Sequence, residues 1–304
     1  MNATAFSAAD ASRPYGNPRA KPSSPDELSS VIHHQMDQVA LITGGGRGLG
    51  RAFAVALAKN GLHVAVASRN VQELNATIAL LRAERVRSVA IPTDVTNEVA
   101  VRKMVSITEE ELGPITLLVN AAGVGGPFGP TWETDSTEWW RNVEVNLKGP
   151  MLCCKAVVKS MIARRQGRII NVASGAGTVS VPYMSAYVSS KAAVIRFTEV
   201  LADELRQHGV SVFAIQPGTV RTTMAEELMQ SESGKRWLPW FKKIFDDNRD
   251  DSSLPGENLV LYLASGKADA LTGRFFAAPG APDNVVDQID PILKDDRSVL
   301  RIRS

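Results

Sequence analysis

Val39-Ala40-Leu41-Ile42-Thr43-Gly44-Gly45-Gly46-Arg47-Gly48-Leu49-Gly50 is the stretch from which the fold can be read. Its first five residues are apolar or β-branched without interruption, as in a strand buried on both faces. Residues 49–60 follow with a helical apolar pattern that Gly61 ends. The glycines between them are spaced G-x-x-x-G-x-G rather than G-x-G-x-x-G. Glycine lets a backbone turn tightly and approach a phosphate, and a helix N-terminus offers free N–H groups and the positive end of its dipole. A glycine-rich turn can also be no more than a turn. Its place after a first strand and before an apolar helix favours nucleotide binding, with Gly44, Arg47, Gly48, Leu49 and Gly50 as the contacts.

Outward from this stretch the same alternation repeats. Strands are predicted at 63–68, 88–92, 117–120, 168–172 and 210–216. Helices are predicted at 71–84, at 98–112 before Gly113-Pro114, at 137–165, and through Tyr187 to about residue 208. Short, wholly apolar strands separated by helices indicate a parallel sheet covered on both faces. The predicted fold is therefore α/β, a doubly wound parallel sheet of Rossmann type. It is expected as a single domain over residues 38–282, with a helical substrate lid at about 222–250. Ligands of such a sheet sit beyond the carboxyl ends of its strands. Residues 1–37, rich in Ala, Ser and Pro, are expected to be a disordered leader, and residues 283–304 a C-terminal tail.

Composition narrows the function classes. A net charge of +2, with Lys and Arg spread along 304 residues, speaks against nucleic acid as the main partner. No apolar run approaches about 18 residues, so no membrane span is expected. Residues 1–37 contain no secretory n-region and h-region, and Asp10, Asp26 and Glu27 count against a transit peptide. The two cysteines, Cys153 and Cys154, are adjacent in an apolar run and read as buried thiols rather than a disulfide or metal site. A reducing, cytoplasmic setting is expected, and no metal.

The end of the second predicted strand bears on the choice of nucleotide. An acidic residue about 20 residues past the glycines takes the ribose hydroxyls of NAD. Here Ser68-Arg69 stands there, with Arg47 in the glycine loop, and two guanidinium groups with a hydroxyl suit the 2′-phosphate of NADP. The alternative is that both arginines are solvated surface charges. Asp94, before Val95, could bind the adenine amine or cap the next helix. Asn120-Ala121-Ala122-Gly123 places small residues where a cofactor would cross the sheet edge. Asn146, polar in an apolar helical stretch, could satisfy a local backbone group or hold a proton-relaying water. Tyr187 and Lys191 stand four apart, on one face of a helix. A phenol is a poor base at neutral pH, and an ammonium beside it favours the phenolate. Upstream Ser174 could hold the substrate oxygen that exchanges the proton.

Taken together, these residues resemble the short-chain dehydrogenase/reductase family. The resemblance rests on T-G-x-x-x-G-x-G at 43–50, Asp94-Val95, the N-A-A-G at 120–123, Asn146, Ser174, Tyr187-x-x-x-Lys191 and Pro217-Gly218, in the family's order. It implies Tyr187 as the acid/base, Ser174 as a partner of the same substrate oxygen, and Asn146 as support for a relay water. Lys191 would bind the nicotinamide ribose and lower the Tyr187 pKa. Pro217, Gly218 and Val220 would line the nicotinamide, with Thr222 near its carboxamide. Hydride would pass directly between nicotinamide and substrate carbon. Assembly as a homodimer or homotetramer is also implied. Two departures stand out: Ala173 replaces a common second serine, and the tail after 283 replaces the usual ending.

The expected activity is NADP(H)-linked interconversion of a ketone or aldehyde with an alcohol. Reduction of an activated C=C bond and a non-catalytic nucleotide-binding or scaffold role on the same fold are the alternatives. The lid carries Met224, Leu228, Met229, Trp237, Trp240 and Phe241 among Lys235, Arg236, Lys242 and Lys243. An apolar lid with a basic rim would suit a hydrophobic substrate bearing an acid; ordinary packing of amphipathic helices is the competing reading. Phe128, Trp132, Val179, Tyr183 and Met184 are candidates for the opposite wall.

Overall fold

Seven strands form one sheet in the order β3-β2-β1-β4-β5-β6-β7 in the computed structural model, which describes residues 38–278 and 289–301. The strands are β1 (Val39–Thr43), β2 (His63–Ser68), β3 (Ser88–Pro92), β4 (Ile115–Asn120), β5 (Gly167–Val172), β6 (Val210–Gln216) and β7 (Phe275–Ala277). Every neighbouring pair is parallel. The chain builds outward from β1 to β3 and then crosses back to β4. The strand order therefore reverses between β1 and β4, which makes their carboxyl ends the place for a ligand crevice.

Successive side chains of a strand point to opposite faces, and each face here has its own core. Ala40 and Ile42 pack with Phe53 and Leu57 of α1 (Gly48–Lys59), Leu74 of α2 (Val71–Leu81), and Leu259 and Leu263 of α10 (Leu254–Ala264). Val39 and Leu41 pack on the other face with Met104 of α3 (Glu98–Leu112), Val157 and Met161 of α5 (Gly149–Arg164), and Leu205 of α6 (Ser185–Leu205). This two-sided burial is why the strands read as unbroken apolar runs.

The boundaries depart from the sequence reading in a few places. The helix expected at 137–165 is interrupted: α4 (Ser136–Val143) leads into a π-helical turn at Glu144–Lys148 before α5. The cause is local. Pro150, four residues after Asn146, has no N–H to continue the ladder. The lid consists of three short helices, α7 (Thr223–Gln230), α8 (Glu232–Trp237) and α9 (Pro239–Asp246). Helix α10, which follows them, was missed by the sequence reading. The last strand, β7, follows a 3-10 turn at Asp269–Leu271. The described part of the tail packs on the domain. Ile292 of α11 (Ile289–Lys294) joins the first core, Phe275 N–H donates to the Ser298 carbonyl at 2.8 Å, and Arg301 pairs with Glu199 at 2.7 Å. The leader lies outside the described residues. Among the described residues no helix is long and apolar enough to cross a membrane.

A buried amide chain ties the sheet to α6. Asn120 Nδ2 donates to Asn171 Oδ1 at 2.9 Å, Asn171 Nδ2 to Thr198 Oγ1 at 2.9 Å, and Thr198 Oγ1 to the Val194 carbonyl at 2.8 Å. Thr198 belongs to the helix that also carries Tyr187 and Lys191. Removing the middle member strands buried polar partners, at about 1–3 kcal/mol. Asn171→Ala is expected to lower the unfolding free energy by about that amount in urea titrations.

Candidate active site

The glycine loop sits at the carboxyl end of β1 and is held by contacts that leave no room for side chains. A Cβ on Gly50 would stand 2.3 Å from the Gly44 carbonyl oxygen, and one on Gly44 (φ +68) would stand 2.7 Å from the Ala122 nitrogen. Two residues the sequence reading missed secure the loop from behind. Thr77 Oγ1 donates to the carbonyls of Gly45 and Gly46 at 2.9 and 3.2 Å, and Arg51 Nε donates to Gly46 at 3.0 Å. A threonine on the buried face of one helix and an arginine near the start of another give no periodic signal that would mark this role.

From this loop a cleft of about 1170 Å³ runs along the carboxyl ends of the strands to the lid. Gly44, Arg47, Gly48, Leu49, Gly50, Ser68, Arg69, Asp94, Val95, Ala121 and Gly123 line its first part. Ser174, Tyr187, Lys191, Pro217, Gly218, Val220 and Thr222 line its second. Asn120 and Asn146 do not reach its surface. Asn120, placed by sequence among the cofactor contacts, instead turns its side chain into the sheet toward Asn171.

At the β2 end Arg69 is exposed and has no ion-pair partner among the described residues, whereas Arg47 is engaged by Glu73 at 3.5 Å and by Glu227 of α7 at 3.4 Å. Both pairs are solvent-exposed and hence weak, so Arg47 can be released to an anion. Asp94 does not cap α3, because Asn97 does so by accepting from Ala100 N–H at 3.0 Å. Asp94 instead accepts from Thr96 N–H at 2.9 Å and pairs with Arg141 at 3.1 Å. Partial burial opposes its charge, but the Thr96 and Arg141 donors outweigh that and hold its carboxyl below the usual range.

Ser174 follows β5 in extended conformation, its hydroxyl accepts from Ala176 N–H at 3.2 Å, and it lies beside Tyr187 on the first turn of α6. One turn on, Lys191 is 5 % exposed, and its Nζ donates to the Val172 carbonyl at 2.8 Å. It lies 5.7 Å from the centre of the Tyr187 ring. Burial brings Lys191 down to about 8. The expected lowering of Tyr187 does not appear: burial pushes its phenol up, and the Ser174 hydrogen bond offsets only part of this. Desolvation of a phenolate outweighs an ammonium that is itself bound to a carbonyl.

Asn146 clamps the chain after β4. Its Oδ1 accepts from Val124 N–H at 2.9 Å, and its Nδ2 donates to the Val124 carbonyl at 2.9 Å and to Ser190 Oγ at 3.1 Å. Of the two readings of this side chain, local backbone satisfaction is the one seen. Its main-chain carbonyl is a separate group, and Pro150 cannot donate to it. Past β6, Gly218 (φ +105) turns against Asp251, whose carboxylate accepts from Thr219 N–H at 2.7 Å. The sequence reading did not anticipate that anchor. Cys153 and Cys154 are buried free thiols, and burial raises both above the ordinary thiol range.

Residues 38–233 match the family model described as short chain dehydrogenase. The chain belongs to the short-chain dehydrogenase family. It is 33% identical over 264 residues to a short chain dehydrogenase of Pseudocercospora fijiensis (strain CIRAD86), covering 85% of this chain and 83% of that one. Among solved structures it is similar to an actinorhodin polyketide ketoreductase with NADPH (TM-score 0.72, 31% identity, 80% and 96% of the two chains). It is also similar to a xylitol dehydrogenase bound to NAD+ (TM-score 0.73, 29% identity, 79% and 97%). As a short-chain dehydrogenase the protein is an oxidoreductase of CH–OH groups that uses NAD or NADP. The N-terminus of α1 opens on the cleft through Gly48, Leu49 and Gly50 with no side-chain cap, an arrangement that fits a dinucleotide phosphate. Because this short-chain dehydrogenase holds its glycine loop through Thr77, Thr77→Val is expected to weaken NADPH binding about tenfold, read by fluorescence titration.

Proposed function

We propose that the protein reduces a ketone or aldehyde with NADPH, and runs the reverse oxidation, with Tyr187 as acid/base. The carrying observation is that Ser174, Tyr187 and buried Lys191 meet on one wall of the cleft where the strands end. The glycine loop and the N-terminus of α1 would hold the pyrophosphate, Lys191 the nicotinamide ribose, and Pro217, Gly218, Val220 and Thr222 the nicotinamide end. When bound, the dinucleotide supplies the hydride.

The protein's own groups handle the proton. A phenol raised by burial is fully protonated at neutral pH and is therefore ready to donate to a carbonyl oxygen. Ser174 donates a second hydrogen bond to that oxygen and stabilises the charge it gains. The Lys191 ammonium favours the phenolate left behind. The Asn146 main-chain carbonyl, free of an i+4 donor because of Pro150, is the group that would hold a water leading toward Lys191.

Preference for NADP is supported by three features of the β2 end: no acid ends the strand, Ser68 lines the cleft, and the Arg69 guanidinium beside it has no ion-pair partner among the described residues. Glu73 also lines the cleft there, 3.5 Å from Arg47.

Purified protein is expected to oxidise NADPH in the presence of some member of a broad ketone panel. Tyr187→Phe should reduce that rate by at least about a hundredfold while NADPH binding persists. No turnover with intact NADPH binding would sink the proposal. In side-by-side titrations NADP should bind more tightly than NAD, and Arg69→Asp should move preference toward NAD; equal wild-type affinities would overturn the assignment. Reduction needs the phenol protonated and the lysine charged, and Lys191 has the lower pKa. The reduction rate should therefore hold below pH 7 and fall as pH rises through about 8.

A further inference from the structure

The lid has two chemically opposite faces, and the basic one points away from the cleft. Lys235 is paired with Glu232 at 2.8 Å and Lys242 with Asp246 at 2.6 Å. The Arg236 guanidinium lies 4.5 Å from the Trp237 ring centre, and Lys243 is exposed. None of these four lines the cleft. Its substrate end beyond Tyr187 is walled instead by Val181, Met184, Met224, Leu228, Phe241 and Ile244. The charged residues that line the cleft, Arg47, Arg69, Glu73, Asp94, Arg141 and Lys191, all belong to the cofactor side or to the catalytic group. The basic rim expected from sequence is therefore absent where a substrate would meet it.

Two further observations sharpen this. In α9 the aromatic rings form a run: Trp240 lies edge-on to Phe241 at 5.8 Å, and Phe241 edge-on to buried Phe245 at 5.3 Å. Trp240 and Phe241 line the cleft, so a ligand ring there would extend a series of edge-to-face contacts. A side cleft of about 610 Å³ also shares Gly125, Met224 and Leu228 with the substrate end. Its wall carries Glu133, Asp135, Glu138 and Glu227 and no basic residue. An anionic group would be desolvated without a partner in the apolar part and would meet carboxylates beyond it.

Resting on the ketone-reductase reading, we infer that the substrate is an uncharged ketone or alcohol bearing a bulky apolar ring, held between α9 and the loop before α6. Small hydroxylated ketones and acid-bearing ketones are excluded as preferred substrates.

A matched pair tests this: 2-acetylnaphthalene and 6-acetyl-2-naphthoate, with dihydroxyacetone as the small polar comparator. The neutral ring ketone should exceed the naphthoate in kcat/KM by at least about a hundredfold, the order expected for burying an unpaired carboxylate. Ile244→Lys, which sets an ammonium on the apolar wall, should narrow or invert that ratio. A naphthoate within tenfold of the neutral ketone, or a preference for dihydroxyacetone, would overturn the inference while leaving the reductase reading intact. Calorimetric binding of both naphthyl compounds to the NADPH-loaded protein separates the remaining case. Selective binding of the neutral compound without turnover supports the apolar site and sinks the reductase reading, and preference for the naphthoate sinks the inference whatever the turnover.

Discussion

Parallel strands leave their carboxyl ends along one edge of a sheet, and this constraint orders everything else in the protein. The glycine loop after β1, Ser68 and Arg69 after β2, Asp94 after β3, Gly123 after β4, Ser174 after β5 and Pro217 after β6 meet there because each follows its own strand. The reversal of strand order between β1 and β4 splays the flanking loops and opens the crevice between them. The site is thus a consequence of strand polarity, and the helices mainly supply the two cores that cover the sheet's faces.

Within that crevice the chemistry depends on what is dry. Tyr187 and Lys191 are carried on α6, which the amide chain from Asn120 through Asn171 to Thr198 ties to the middle of the sheet. Burial acts on the two in opposite senses: it holds the phenol protonated and weakens the ammonium, because in both cases water no longer stabilises the charged form. The pair is consequently poised to give a proton rather than to take one in the isolated protein. The Asn146 side chain contributes by fixing Val124, and Pro150 offers no N–H to its main-chain carbonyl.

Specificity belongs to the opposite end of the cleft, in elements added after β6. The lid's apolar and basic residues alternate in sequence but separate in space. Phe241 and Ile244 turn inward, while Lys235 and Lys242 are satisfied outside by acids three or four positions away. The cleft beyond Tyr187 is left apolar.

How much of this was legible in sequence follows from the range of the interactions involved. Unbroken β-branched runs, the spacing of Gly44, Gly48 and Gly50, and the i,i+4 relation of Tyr187 and Lys191 are local patterns. The doubly wound sheet, the glycine loop after β1 and the helix that carries Tyr187 and Lys191 could be read from them directly. The locking of the glycine loop by Thr77, the anchoring of Gly218 by Asp251, and the pairing of Arg47 with Glu73 and Glu227 join residues far apart in the chain. No periodicity announces such contacts. The same holds for charge: sequence can count the lysines of the lid, but which way they face depends on how three short helices pack. The direction of the Tyr187 shift likewise came from its surroundings, since desolvation is set by every neighbour that excludes water and not by the lysine one turn away. Sequence by itself determined the order of the elements and the pattern of Ser174, Tyr187 and Lys191, because those rest on backbone periodicity and side-chain chemistry. Tertiary structure alone decided their protonation, their anchoring and the apolar character of the substrate end, because these depend on long-range packing and the water it removes.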